Sequence, residues 1–233
     1  MKRAAIGSVV AASALAAGVA QADGVPGRGT WQTTLQPRDI DGDTVTDAFY
    51  DTVLDITWLR NANVDGLMDW ATARSWVNTL VVGGVGGWRL PKVEDTGAPG
   101  CNHSYAGTDC GWNVDTATGE MAHLYYVTLG NKAYFNESGA WPQPGWGLTN
   151  TGGFQDLQSD TYWSGTTFAT YPPNAWTFQT FDGRQSYDNK AAWAFHAMAV
   201  RPGDVPAVPE PQTYALMLMG VGTLVLALRR RPR

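Results

Sequence analysis

The stretch Ala175–Asp188, AWTFQTFDGRQSYD, alternates in its first half, with Trp176, Phe178 and Thr180 falling on one face. A period of two marks a strand packed on one side. Asp182-Gly183 then offers the left-handed dihedrals of a tight hairpin turn, and RQSYD runs back. A hairpin here makes the end of the body a sheet. Working outward, TYWSGTTF (161–168) reads as a strand, and AWAFHAMAVRP (192–202) sets Ala194, His196, Met198 and Val200 against Trp193, Phe195 and Ala197. Upstream, AFYDTVLDITWL (48–59) reads as two short strands about a turn, and TWQTTL (30–35) as another strand.

Two segments change period. In MDWATARSWVNTL (68–80), Trp70, Ala73, Val77 and Leu80 fall 3, 4 and 3 apart on one helical face, and Gly83-Gly84 ends the run. In GEMAHLYYVTLGN (119–131), Met121, Leu124, Tyr125 and Leu129 share a face, with Thr118 as N-cap and Gly130 as the stop. Strands at both ends, two helices and a Gly-rich middle predict an α+β class.

Composition agrees with many short strands and turns around aromatic packing. Of 233 residues, 16% are charged, with 27 Gly, 11 Trp and 9 Tyr. A disordered chain would be poor in aromatics. Net charge is −5, but cations crowd the two ends; residues 23–209 hold 10 basic and 20 acidic residues, a charge of −10. That balance opposes non-specific nucleic-acid binding, which needs phosphate neutralised by Lys and Arg.

The ends carry addresses. Lys2 and Arg3, an apolar run and Ala20-Gln21-Ala22 form the pattern of a secretory signal peptide over residues 1–22. In an oxidising compartment Cys101 and Cys110, eight residues between them, can pair; a metal site is the alternative. At the other end, residues 214–228 are uncharged and followed by Arg229, Arg230 and Arg231. As a helix they measure roughly 22 Å, short of a ~30 Å hydrocarbon core. Basic residues favour the cytoplasmic side, so the flanks predict a marginal single transmembrane helix with the body outside. Between body and tail, Pro202, Pro206, Pro209 and Pro211 predict an extended stalk.

VPEP at Val208–Pro211, the short apolar run and the terminal arginines resemble the PEP-CTERM sorting signal. The resemblance implies a Gram-negative envelope and recognition through Pro209, Glu210 and Pro211. The implied partner is an exosortase, a membrane cysteine transpeptidase-like enzyme. The body, 23–205, has its own resemblance. DAFYDTVLDITWLRNAN, MDWATARSWVNTL, GGWRLPKVED and YWSGT…AWTFQTFDGRQ…AMAVRPGDV are similar to the Lcl-C-terminal-like domain, across about residues 30–205. This implies a C-type-lectin-like domain, related to formylglycine-generating enzymes, with two helices beside a small antiparallel sheet and with terminal strands that pair. The copper-dependent chemistry of those enzymes is not implied, because the cysteines stand at other positions.

Several constellations offer chemistry. Asp39, Asp41, Asp43 and Asp47 in DIDGDTVTD resemble the opening of a calcium loop, but the glycine is at position 4 and no Glu stands at 12; a solvated acidic turn is the alternative. In WRLPKVED, Trp88 reads as core, and Arg89 calls for a buried carboxylate partner. His103, His123 and His196 are scattered, with no HExxH motif, and no serine sits in a G-x-S-x-G elbow. In SGAWPQPGWGLTNTGGF (138–154), Trp141, Trp146 and Phe154 sit among Gly and Pro, either as a ligand-binding loop or as a cap on the core. These readings predict a non-catalytic binding or structural module at the cell surface. Its expected partners are extracellular polysaccharide and, through the tail, the inner membrane, with no obligate cofactor. The alternative is an envelope enzyme, perhaps calcium-dependent, acting on polysaccharide.

Overall fold

The computed structural model describes residues 24–96 and 101–205. The signal segment 1–22, the expected span 214–228 and the motif residues Pro209, Glu210 and Pro211 lie outside them. In chain order the elements are α1 Trp31–Thr34, β1 Leu35–Arg38, β2 Ala48–Asp51, β3 Ile56–Leu59, α2 Trp70–Thr79 and α3 Glu120–His123. A π-helical turn, Leu124–Thr128, continues α3 directly, and β4 Thr161–Thr167, β5 Asn174–Gln179, β6 Arg184–Asn189 and β7 Val200–Pro202 follow.

The α+β expectation is overturned: the body is mostly β. It has a four-stranded sheet in the order β1-β2-β3-β7 and a three-stranded sheet β4-β5-β6, all pairings antiparallel. Only α2, at ten residues, is a sustained helix among those described. The predicted second helix shrinks to one α turn and the π turn, closed by Leu129 N–H donating to Leu124 O at 2.8 Å. Widening the turn buries Leu124, Tyr125 and Thr128 together. Gly119 replaces Thr118 as its N-cap, because the Thr118 hydroxyl donates to Asp115 O instead. No helix among the described residues is long and apolar enough to cross a membrane, so the observed architecture is the two-sheet body alone.

Two further expectations are corrected. TWQTTL is not a strand: Thr33 and Thr34 N–H groups both donate to Thr30 O at 2.9 Å, curling Trp31–Thr34 into a helical turn ahead of β1. The terminal strands share a sheet without pairing, since β7 lies beside β3 and not β1. A bidentate pair still ties the ends: Arg38 donates to Asp204 at 2.7 and 2.8 Å.

The two sheets meet along residues 195–200. Trp163 N–H donates to His196 O at 3.0 Å on one side, and Leu59 N–H donates to Ala199 O at 2.9 Å on the other. Every residue from His196 to Val200 is therefore buried, on both sides of the alternation read there. Trp58, Trp163 and Trp176 fill the interior, and each indole N–H finds an acceptor: Asp51, Met68 O and Asp95 respectively. A buried indole left without one would cost the desolvation of its N–H.

A hairpin forms where predicted, but its turn spans four residues, 180–183, and of Asp182 and Gly183 only the glycine is left-handed. Gln179 pairs with Arg184, and Gly183 takes φ +77°. A Cβ at Gly183 would lie 2.8 Å from Tyr126 Oη and 3.0 Å from Ala133 Cα, so close approach as well as dihedral requires glycine. This turn is where the middle loop docks.

Candidate ligand-binding site

The segment 132–147 has no regular structure, yet its backbone is pinned. Tyr134 N–H donates to Asp182 O at 2.9 Å, Gln143 N–H to Tyr134 O at 3.0 Å, and Gly147 N–H to Lys132 O at 2.9 Å. Asn136 Oδ1 accepts from the N–H groups of Ser138 and Ala140 at 3.1 and 2.8 Å, closing a tight loop. The Gln143 side-chain amide donates to Ala133 O and Phe135 O, and the Asn113 amide to Tyr105 O and Phe135 O. Polar side chains thus hold the loop in one shape.

On that frame stands a shelf of rings. Tyr134 and Trp141 stack with centroids 5.8 Å apart, and Trp146 meets Tyr134 edge-on at 4.7 Å. Phe135 joins them to Tyr105 and Trp112, at 5.0 and 4.7 Å. Arg184 lies over Trp112 at 5.4 Å, and the Trp112 N–H donates to Asp182 at 3.2 Å. Burial raises the Asp182 carboxyl above the usual range, against the hydrogen bonds that lower it. Trp141 is 64% exposed, Tyr105 42% and Trp146 40%. Beside the shelf a 360 Å³ hollow is lined by Asn113, Asn136, Glu137, Ser138 and Gln143. Among the described residues, the exposed Glu137 carboxylate forms no ion pair.

Of the three aromatics singled out in the loop, Trp141 and Trp146 come together and face solvent. Phe154 does not join them; it is buried edge-to-face against Phe49 at 5.2 Å and Trp58 at 6.4 Å. Tyr105, Trp112, Tyr134 and Phe135 escaped the sequence reading. Their only signal was aromatic residues within Gly- and Asn-rich sequence; the contacts that unite them reach across 30 positions, from Tyr105 to Phe135.

The acidic loop gathers Asp39, Asp41 and Asp43, with ligand oxygens within 4.8 Å of one another. Both oxygens of Asp39 and one each of Asp41 and Asp43 are engaged by the turn itself. Asp39 accepts from Gly42 and Thr44 N–H, Asp41 from Asp43 N–H, and Asp43 from Val45 N–H. Asp47 points elsewhere, to Ile40 N–H at 2.7 Å. Cys101 and Cys110 are bonded to one another, their Cα atoms 5.1 Å apart.

Arg89 finds the carboxylate its burial demands. Two parallel hydrogen bonds of 2.7 Å join it to Glu120, whose Oε2 also accepts from Lys92 N–H. The pair clamps the WRLP segment to α3. His196 is buried beside Asn63, at 2.7 Å, with Asp160 at 3.6 Å, and burial lowers its pKa. His123 Nε2 is buried without a partner, and burial lowers that histidine as well.

No curated protein and no solved structure matches the chain. A model of the Lcl C-terminal domain matches residues 47–201, and a model of the PEP-CTERM protein-sorting motif matches residues 207–231. The domain match runs from β2 into β7, leaving out α1 and β1, and takes in the three-stranded sheet, α2 and the ring shelf. The chain therefore belongs to the Lcl C-terminal domain family, and it is an exported PEP-CTERM protein that carries the exosortase sorting motif behind that domain.

Proposed function

We propose that the domain is a non-catalytic glycan-binding module, displayed at the cell surface or in extracellular polysaccharide once the sorting motif has been recognised. The observation that carries this reading is Trp141, 64% exposed and stacked on Tyr134 in a loop pinned by side-chain amides. Keeping a tryptophan in water forgoes roughly 1.5–3 kcal/mol of burial, a cost typical of contact surfaces. A flat ring face accepts the C–H face of a sugar, and the neighbouring amide, hydroxyl and carboxylate groups suit its hydroxyls. The loop's order in the free state lowers the entropy cost of binding.

Glycan-array binding by the full chain, with and without EDTA, tests the reading. Binding is expected to survive EDTA, since rings and amides make the contact, and to be lost in Trp141→Ala. Polysaccharide turnover by the full chain would sink the non-catalytic assignment in favour of an envelope enzyme.

A further inference from the structure

The free groups of the hollow beside the ring shelf share one polarity. Asn113 spends both amide hydrogens inward, on Tyr105 O at 2.8 Å and Phe135 O at 2.9 Å. The Gln143 amide does the same toward Ala133 O and Phe135 O. Because both partners of each amide are carbonyl oxygens, neither amide can be turned over. The Ser138 hydroxyl donates to Asn136 Oδ1 at 2.8 Å. With Glu137, these four residues line the 360 Å³ hollow. What remains for a ligand is mostly acceptors: Asn113 Oδ1, Gln143 Oε1, the Ser138 lone pairs and the Glu137 carboxylate. Among the described residues, Asn136 Nδ2 is the one lining side-chain donor without an acceptor.

Charge points the same way. Glu137 forms no ion pair among the described residues. The nearest cations in the shelf's own segments are turned away from the hollow or stand outside it. Arg184 lies over Trp112 and donates to Gln179 Oε1 at 2.9 Å, and neither it nor the exposed Lys132 is part of the lining. The turn that carries Glu137 packs on the shelf, since a Cβ on Gly139 would lie 2.9 Å from the Tyr105 ring. Tyr105 is itself partly open to water. An aromatic face beside a free carboxylate attracts a cation twice, through the ring quadrupole and through the carboxylate charge.

We propose that the shelf and its hollow bind a protonated amino sugar, so that the glycan taken by the domain carries free, un-acetylated hexosamines. The inference rests on the glycan reading above and narrows its ligand class. At 360 Å³ the hollow is near the lower end of small-ligand sites, ~300–1,000 Å³, which suits one sugar ring. The ring's C–H face lies on the exposed aromatics. Its ammonium, all donors and no acceptor, meets Glu137 and the amide oxygens of Asn113 and Gln143. An N-acetyl group in that place sets a carbonyl oxygen against a rim of oxygens and leaves Glu137 without a charge to meet. The lining therefore selects against the acetylated sugar as well as for the free amine.

The test measures the full chain against a glucosamine oligosaccharide, its fully N-acetylated form and polylysine. The free amine is expected to bind about tenfold tighter than the acetylated form, the worth of one charged hydrogen bond. Glu137→Gln is expected to erase that preference without lowering Tm, and Trp141→Ala to weaken both oligosaccharides alike. Equal binding of the two forms, or an unchanged preference in Glu137→Gln, overturns the inference while leaving the ring shelf standing. Polylysine binding as tightly as the glucosamine oligosaccharide overturns it as well, by showing simple attraction to an acidic body. Neither form binding while the array shows another glycan also overturns it. Neither form binding with the array blank brings down the glycan reading itself.

Discussion

Trp163 and Trp141 show what two regions of one molecule do with the same residue. Trp163 is fully buried on β4, its indole N–H donating to Met68 O at 2.9 Å. Trp141 stands in a Gly-Pro loop, 64% exposed, its ring laid against Tyr134. In the first case the backbone ladder places the ring and the ring fills the core. In the second, amide side chains hold the backbone and the ring is left facing out. The lesson is that aromatic content alone does not tell packing from recognition; the flanking residues do.

The contrast can be broken at its extremes. Trp163→Ala is expected to cost about 3–5 kcal/mol in denaturant unfolding, as large-to-small changes in a filled core do. Trp141→Ala is expected to stay within ~0.5 kcal/mol of the parent in the same assay. Equal losses at the two sites would mean that the shelf is core after all.

An intermediate effect belongs to the Arg89–Glu120 clamp that joins the WRLP segment to α3. Arg89→Met leaves the half-buried Glu120 without its cation and is expected to destabilise by about 1–2 kcal/mol. Arg89→Met combined with Glu120→Leu should recover part of that loss, because both charges are then gone. Failure of the second change to rescue would show that Glu120 acts through Lys92 N–H and not through Arg89.

The smallest effect is a pH dependence. Burial lowers the folded pKa of His123 below its unfolded value near 6.5. Its neutral form is thus favoured by folding, and its contribution is present above pH ~6.5 and lost as the pH falls below it. His196 shifts in the same direction. Tm should therefore fall between pH 7.5 and 5.5, and His123→Leu should shallow the fall by a degree or two. An unaltered slope in that variant would remove His123 from the account.

Local chemistry made the sheet regions legible. Alternation at Trp176 and Phe178, the Asp182-Gly183 turn and the spacing of Trp70, Ala73 and Val77 each carry their own signal, and each element forms where expected. Trp31–Thr34 misled because Trp and Thr favour strands, while two N–H groups meeting at Thr30 O decided the outcome. The second helix shortened because tertiary burial of Tyr125 favours a wider turn, which no period announces. At the site, Trp141 and Trp146 could be read from their Gly-Pro surroundings. Phe154 shares those surroundings and goes inward, since only its contact with Phe49 distinguishes it. Arg89 advertised its need for a carboxylate, but 31 residues of chain hide that Glu120 supplies it.

Hydroxyl-radical footprinting of the full chain, read by mass spectrometry at saturating glycan, tests the shelf most directly. Trp193 is 57% exposed, a comparable target outside the shelf. The account predicts protection of Trp141 and Trp146 with Trp193 unchanged. Bound glycan that leaves Trp141 and Trp146 oxidised as in the free protein would contradict it.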